Sequence, residues 1–436
     1  MSGRIDRDSL DPRTRRLLEA PIMPTLLRLG APNVLIMLAQ AAVGLIETFF
    51  VGKLGTDALA GMALVFPAVM LMQTISAGAF GGAIASVIAR TLGGGRRSDA
   101  DVLVLHALAI AVALGLIFTG GALGGGRWLY MRMGGTQGAL TAALTYSNLV
   151  FAGAVLVWIF NSLSAIIRGT GNMTVPAVVS CTGSVVLVPL SPLLIFGWGP
   201  VPALGIAGGA VALLAYYLLG SVAMAMYLWS PHSLLRPALS HLRFRWAQFR
   251  EILQLGAVGA ISATATNVTI AIATAQVGVF GTAAIAGYGT AARLEYLLIP
   301  LVFGLGSPLV AIVGTSIGAG MRERALRATW VAAAIAFLMT ELIGLTAALW
   351  PNAWLALFAS DPAMRQAGTT YLHAVGPLYG FFGVGLVLYF ASQGAALVIY
   401  ALVNVAAVAG GSWFGTIGWP RVKYAEGARA MPPVAS

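Results

Sequence analysis

The sequence predicts an all-α polytopic membrane protein, built as two parallel-repeat six-helix bundles (the second incomplete, about eleven spans in all) around a central cleft. Three observations predict it. Charged residues make up only 9% of the 436-residue chain and hydrophobic ones 59%, where an ordinary soluble domain carries about 25% charged residues. So few charges cannot coat a soluble globule of this size, and a mean hydropathy of +0.88 excludes a disordered chain. The apolar runs are near twenty residues or longer, the length of a helical span; a membrane barrel would show alternating segments of about ten. Finally, the second half of the chain repeats the first.

The spans fall in order at about 32–52, 58–90, 102–122, 141–165, 174–197, 203–229, 250–276, 282–316, 328–350, 367–391 and 394–417. Two of these runs are long enough to bend or to reach beyond the bilayer. Residues 1–20 are polar and lack an apolar stretch before a cleavage site, so the first span is expected to be retained. This divides the chain into an N-terminal segment (1–23), a first bundle (24–229), a linker (230–249), a second bundle (250–417) and a polar tail (418–436).

The net charge of +11 could suggest a nucleic-acid partner, but the basic residues lie in short clusters between spans and not on one face or tail. Seventeen arginines, among them Arg4, Arg90, Arg96, Arg168, Arg245 and Arg322, fall on one side; the opposite loops hold Lys53, Arg127, Arg132 and Arg365. Loops rich in Lys and Arg stay inside, so the N-terminus is expected in the cytoplasm, with the bilayer as the main partner and no nucleic acid. Cys181 is the single cysteine, which leaves no disulfide and no Cys-based zinc site.

The repeat is read from four blocks in register. Leu27–Ala31 returns as Leu253–Ala257, and VGKLGTDALAG (51–61) faces VGVFGTAAIAG (277–287) with seven of eleven positions identical, both at an offset of 226. At 225, Gly93, Gly95 and Arg97 match Gly318, Gly320 and Arg322, while Tyr146 and Gly169 match Tyr371 and Gly394. Six spans per unit is an even number, so both halves enter the membrane the same way, an arrangement found in transporters. The counterpart of the sixth span would fall near 428–454, past Ser436; eleven spans and an uncovered flank are therefore expected.

Of fourteen acids, Glu47, Glu295 and Glu341 lie deep within apolar runs. An ionised acid in hydrocarbon needs a partner or a proton, so each is a candidate site. Asn33, Gln40 and Glu47 recur every seven residues and share one face of the first span, about 21 Å of polar stripe. Pro32 heads that helix and permits it to bend. A polar seam joining helices is the structural alternative. Arg293 and Glu295 lie about 160° apart on their helix and so cannot pair on one face, which sends each to another helix or to water. Glu341 has only Thr340 as a polar neighbour and reads as a buried acid with one hydrogen bond. His106 and His373 lack metal-ligand spacing and read as structural; no metal or cofactor is expected. Tyr146, Tyr288, Tyr296, Tyr379, Tyr389, Trp158, Phe151, Phe381, Phe382 and Met70 are the types that could line a cleft for lipophilic cations.

Gly314-Thr315-Ser316-Ile317-Gly318 fits the G-x-S-x-G nucleophile pattern, with Asp361 and His373 following. That elbow needs a strand–turn–helix, and these residues end a long apolar run. Gly93-Gly94-Gly95 lacks the Lys-Ser/Thr of a phosphate loop.

Taken in order, Pro32 with an acid fifteen residues on, the VGKLG block, SLSAIIRGTGN (162–172), PLLIFG (192–197), LGIAGGA (204–210), ARLEYLLIPLVFGLGSPLVAIVGTSIGAG (292–320) and LYFASQGA (388–395) resemble the multidrug and toxic compound extrusion (MATE) antiporters. The likeness covers about 24–417. It implies a monomeric secondary transporter of the bacterial inner membrane, not an enzyme, exporting small lipophilic or cationic compounds in exchange for an ion. Where the family typically carries Asp in its first span this chain has Glu47; a second acid found in many members falls at Ser191, and an acid of some members' seventh span at Thr266 and Asn267. One carboxyl suffices for a proton, whereas Na⁺ wants several oxygen ligands, so H⁺ is the expected coupling ion and Na⁺ the alternative. A lipid-linked precursor flippase is a second reading within transport, and an inactive truncated membrane protein a third.

Overall fold

The computed structural model describes residues 11–135, 137–237, 245–278, 282–356 and 362–395. Among them the chain is helical, with a lone bridge between Trp198 and Val201 in place of any strand. A short helix α1 (Pro12–Glu19) precedes the long α2 (Ile22–Gly52). Next come α3 (Thr56–Gln73), a π-helical turn (Thr74–Phe80) and α4 (Gly81–Gly93), which together make one span. The first half ends with α5 (Arg97–Arg132), α6 (Gln137–Ala152), α7 (Ala154–Gly169), α8 (Thr174–Phe196) and α9 (Ile206–Leu228). The second half holds α10 (Trp246–Gly278), α11 (Thr282–Gly318), α12 (Arg322–Leu349), the short α13 (Pro351–Leu355), α14 (Pro362–Val375) and α15 (Tyr379–Ala395).

Ten of the eleven predicted spans coincide with these helices; the run 394–417 and the tail lie outside the described residues apart from the end of α15. By length and composition, seven described helices can cross a bilayer, or eight if α6 and α7, bent by 49° at Gly153, count as one span. Several boundaries differ from expectation. α1 lies in a segment read only as polar: Asp11 caps it by accepting from the Arg13 N–H at 2.8 Å, and Pro12 takes the first helical position, where its missing N–H costs nothing. α2 starts ten residues before the expected 32 and runs straight through Pro32. Arg127 and Arg132, assigned to an outer loop, belong to α5. Its 36 residues are about 54 Å long, more than the hydrocarbon thickness, and the glycines at 120–126 that look like a loop stay helical. Trp246–Phe249, placed in the linker, open α10. The tenth run is two helices, α14 and α15, joined through a 3₁₀ turn at Gly376–Leu378 where Pro377 cannot donate a backbone hydrogen bond.

The first half packs around one apolar core in which Trp158 of α7 meets Phe80 and Phe118 edge-on or tilted, with ring centroids 5.6 and 5.7 Å away. A smaller core in the second half joins Ala291, Leu294 and Leu298 of α11 to Leu372 of α14 and Tyr379 of α15. The halves meet where α4 and α11 end. A side-chain carbon on Gly93 would overlap the Thr315 backbone, and one on Gly318 would overlap the Arg90 carbonyl. Further along the same face, Gly30 of α2 lies 3.2 Å (as an added Cβ) from the Gly304 carbonyl. The glycine-rich repeat junctions thus lie against each other, backbone to backbone, at the arginine-rich end.

Candidate functional site

α2 carries Glu47 about 8 Å from its far end, five residues before Gly52. The side chain is 8% exposed. Its Oε1 accepts a hydrogen bond from the Tyr146 hydroxyl of α6 at 3.3 Å, and no arginine or lysine pairs with it among the described residues. Gly209 of α9 closes the third side: a side-chain carbon there would stand 3.2 Å from Oε1. Among the described residues Glu47 therefore sits in a three-helix pocket with a single neutral donor, a setting in which a carboxyl must carry a proton or be solvated to stay charged.

Asn33, the other described member of the stripe, is also buried and turns its amide to the Met173 sulfur at 4.0 Å. Gln40 is helical, but its side chain lies outside the described set. Ser191 is buried on α8 with no hydrogen bond for its hydroxyl, to Glu47 or to any other described residue. Pro32 lies inside α2, close to where Gly30 meets Gly304.

A polar cluster that sequence reasoning passed over lies beside the π turn. Asn161 of α7 donates to Ser76 at 2.8 Å and to the Gln73 carbonyl oxygen at 3.2 Å, and the Gln73 amide in turn reaches the Tyr217 hydroxyl of α9. π turns recur at functional positions because the widened turn re-aims side chains. The signal available was two amides, at 73 and 161, inside apolar runs.

In the second half, Glu295 is half-buried, and its Oε1 accepts from the hydroxyls of Tyr371 on α14 and, at 3.4 Å, Tyr379 on α15. Tyr288 packs edge-on to Tyr371 with centroids 5.1 Å apart. Glu341 accepts one hydrogen bond, from the Gly380 N–H at 2.7 Å. Phe382 packs against this core, whereas Met70 is 42% exposed and Phe381 66%. The side chains of Thr266, Asn267, Arg293 and Tyr296 lie outside the described set. His106 is structural: its Nδ1 faces the Val102 carbonyl at 2.9 Å and its Nε2 accepts from the Arg245 N–H at 3.0 Å. His373 is exposed on α14. Ser316 lies buried within α11 with its hydroxyl unpartnered, with no strand or elbow around it, which removes the hydrolase pattern.

Two lobes of helices, each with a carboxyl bonded to tyrosine, buried in the first and half-buried in the second, meet at their glycine junctions. Compared with known proteins, residues 32–193 and 260–410 match the MatE family profile. The chain belongs to the MatE family. Among curated MatE relatives, the FAD transporter of Shewanella oneidensis is 28% identical over 85% of this chain and 82% of its own. A probable multidrug resistance protein NorM of Deinococcus radiodurans is 30% identical over 71% of this chain and 69% of its own. A solved outward-facing MATE family multidrug transporter superposes with a TM-score of 0.81 at 22% identity, covering 91% of this chain and 88% of that one. A transporter from Pyrococcus furiosus gives 0.79 at 22%, over 88% and 86%. As a MatE protein the chain is a multi-span secondary transporter and not an enzyme.

Proposed function

We propose that this MatE protein is a proton-coupled antiporter that exports lipophilic, often cationic compounds across the bacterial inner membrane, with the arginine-rich end and the N-terminus in the cytoplasm. The observation that carries the reading is the Glu47 carboxyl, buried in the first lobe with Tyr146 as its single hydrogen-bond donor among the described residues. A proton needs one carboxyl; the hydroxyl of Ser191, which makes no hydrogen bond to Glu47, adds no second charge for a sodium ion. In the cycle, Glu47 takes a proton from the outside, holds it while the site is closed, and loses it when the lobes rock open to the cytoplasm and to substrate. Moving one net charge through 100 mV releases about 2.3 kcal/mol, but exchanging one proton for one monovalent cation moves no net charge, so a single-site exchange runs on the pH difference alone.

The test is transport in liposomes under imposed ΔpH or ΔNa⁺. Glu47→Gln keeps the shape and cannot carry the proton, so ΔpH-driven export should fall to background. Wild-type efflux by this variant at equal expression would defeat the role. The S. oneidensis relative supports a second reading, in which the cargo is a flavin dinucleotide. Competition of FAD against ethidium in the same liposomes separates the two cargoes.

A further inference from the structure

Three arginines converge on one cavity at the arginine-rich end, away from Glu47 and from the glycine junctions. The cavity holds about 330 Å³, at the small end of the roughly 300–1,000 Å³ of small-molecule sites. Its walls come from three stretches far apart in sequence: Asp11 to Arg13 at the start of α1, Arg97 at the start of α5, and residues 231–234 with Arg236 just past α9. Hydrogen bonds pin these stretches together. Arg236 donates its backbone N–H to Asp101 of α5 at 2.7 Å, and the Arg13 guanidinium donates to the Tyr227 hydroxyl of α9 at 3.0 Å. The bias of arginine towards one side of a membrane explains why basic residues lie at this end. It does not bring positions 13, 97 and 236 around one space.

The charge on this lining is uncompensated. Against Arg13, Arg97 and Arg236 stands one lining carboxylate, Asp11, whose Oδ1 already accepts the Arg13 N–H that caps α1. Asp101 gives an oxygen to the Arg236 N–H and does not line the cavity. The ion pairs among the described residues include none of the three arginines. Cations gathered without a counterion repel one another, and an anion between them removes the repulsion. We propose that the cavity binds a doubly charged phosphoryl group, as carried by phosphatidic acid and by free phosphate. A guanidinium presents its N–H groups in a planar fork that fits two phosphate oxygens at once, which an ammonium cannot do. Ser233 adds a hydroxyl that accepts from the Leu235 N–H at 3.2 Å and keeps its own proton to donate. A phosphate monoester carries about −1.5 to −2 near neutral pH, which matches the excess of three lining arginines over one carboxylate. A carboxylate ligand, with one charge, would leave half of that excess. The cavity lies where α5 begins and α9 ends, the level at which two spans leave the apolar layer, so a headgroup and a dissolved anion can both reach it. Bound there, the anion ties α1 to α5 and to the segment past α9, while Arg324 of α12 holds the other end of α1 through the Leu17 carbonyl.

The test uses the purified full chain. In detergent, after lipid is stripped away, rising inorganic phosphate should lift the thermal midpoint by several degrees over sodium chloride at equal ionic strength, because an anion that binds only the folded state stabilises it. In nanodiscs of phosphatidylcholine with added phosphatidic acid, native mass spectrometry should find phosphatidic acid retained on the protein. A double variant, Arg97→Gln with Arg236→Gln, should lose whichever response the wild type gives; both side chains are exposed, so their loss leaves the core intact. Arg127→Gln with Arg132→Gln removes the same charge at the far end of α5 and should keep the response. A response to phosphate alone assigns a dissolved anion, retention of phosphatidic acid alone assigns a headgroup, and each of these, or both together, supports the site. No response in either arm overturns it. So does an undiminished response in the Arg97 and Arg236 double variant, or an equal loss in the Arg127 and Arg132 control, which would make the effect one of overall charge.

Discussion

At the scale of single residues, the site is a carboxyl whose two neighbours, Tyr146 and Gly209, were less visible than the acid itself. Glu47 and Asn33 could be read because polar residues in an apolar span are costly and their seven-residue spacing puts them on one face. Tyr146 appeared only as one aromatic among many, since its partner comes from a helix 99 residues away in sequence. Gly209 carried no sign of its role, because a glycine contributes space and no chemistry. That space is testable. In Gly209→Ala the new carbon stands 3.2 Å from Glu47 Oε1, tighter than ordinary contact, so the carboxyl must give by a few tenths of an ångström, which disturbs its bond to Tyr146. Alanine favours a helix over glycine by about 1 kcal/mol, so α9 itself is not weakened. The expected result is several-fold slower ΔpH-driven transport at unchanged thermal stability; an unaltered rate would show that the carboxyl has room to spare. Glu47→Asp should keep partial activity, since the acid remains but retreats by one methylene.

At the scale of elements, the long apolar runs located ten spans, though α2 begins and α5 ends about ten residues beyond the reading, because burial in a bilayer demands length and apolarity, which composition reports directly. Features set by hydrogen-bond register escaped. The π turn at Thr74–Phe80 changes no apolar count, yet it sets Gln73 and Ser76 against Asn161. α1 is too short to be seen as a span, although it ties the lobes together: Arg13 donates to Tyr227 of α9 at 3.0 Å, and Arg324 of α12 donates twice to the Leu17 carbonyl, at 3.0 and 3.1 Å. The carbonyls ending α1 have no helical partner and take the arginine well. If the cluster at the π turn fixes the first lobe, Asn161→Leu leaves Gln73 and Ser76 each short of a partner, at about 1–3 kcal/mol for each buried orphan. Purified Asn161→Leu should then unfold several degrees below wild type in a thermal shift measurement, and an unchanged midpoint would mean that Tyr217 and local water satisfy the amide unaided.

At the scale of the whole molecule, the two lobes are held by glycines that bring backbones together at the arginine-rich end, and the exchange cycle proposed above needs that contact to form and to part. Gly93 and Gly94 offer an internally controlled test. At Gly93 an added carbon overlaps the Thr315 backbone, which cannot swing away as a side chain could; at Gly94 every neighbour stands 3.5 Å from it, an ordinary contact. Gly94 also has φ −78°, which alanine adopts freely. Gly93 lies in α4, where alanine is the better helix former, so any loss must come from the interface and not from the helix. Overpacking typically costs about 1–3 kcal/mol, and at 1.4 kcal/mol per factor of ten that shifts the balance from closed to open by about 5- to 140-fold. Ser307 of α11 reports the change, because its hydroxyl faces Met173 of the first lobe across 3.8 Å. With Ser307→Cys in a Cys181→Ser background, an impermeant maleimide applied to the arginine-rich side should label Gly93→Ala faster by a factor in that range and leave Gly94→Ala at the parent rate. Equal labelling of both variants would mean that the glycine junction sets packing density alone and does not govern which side is open.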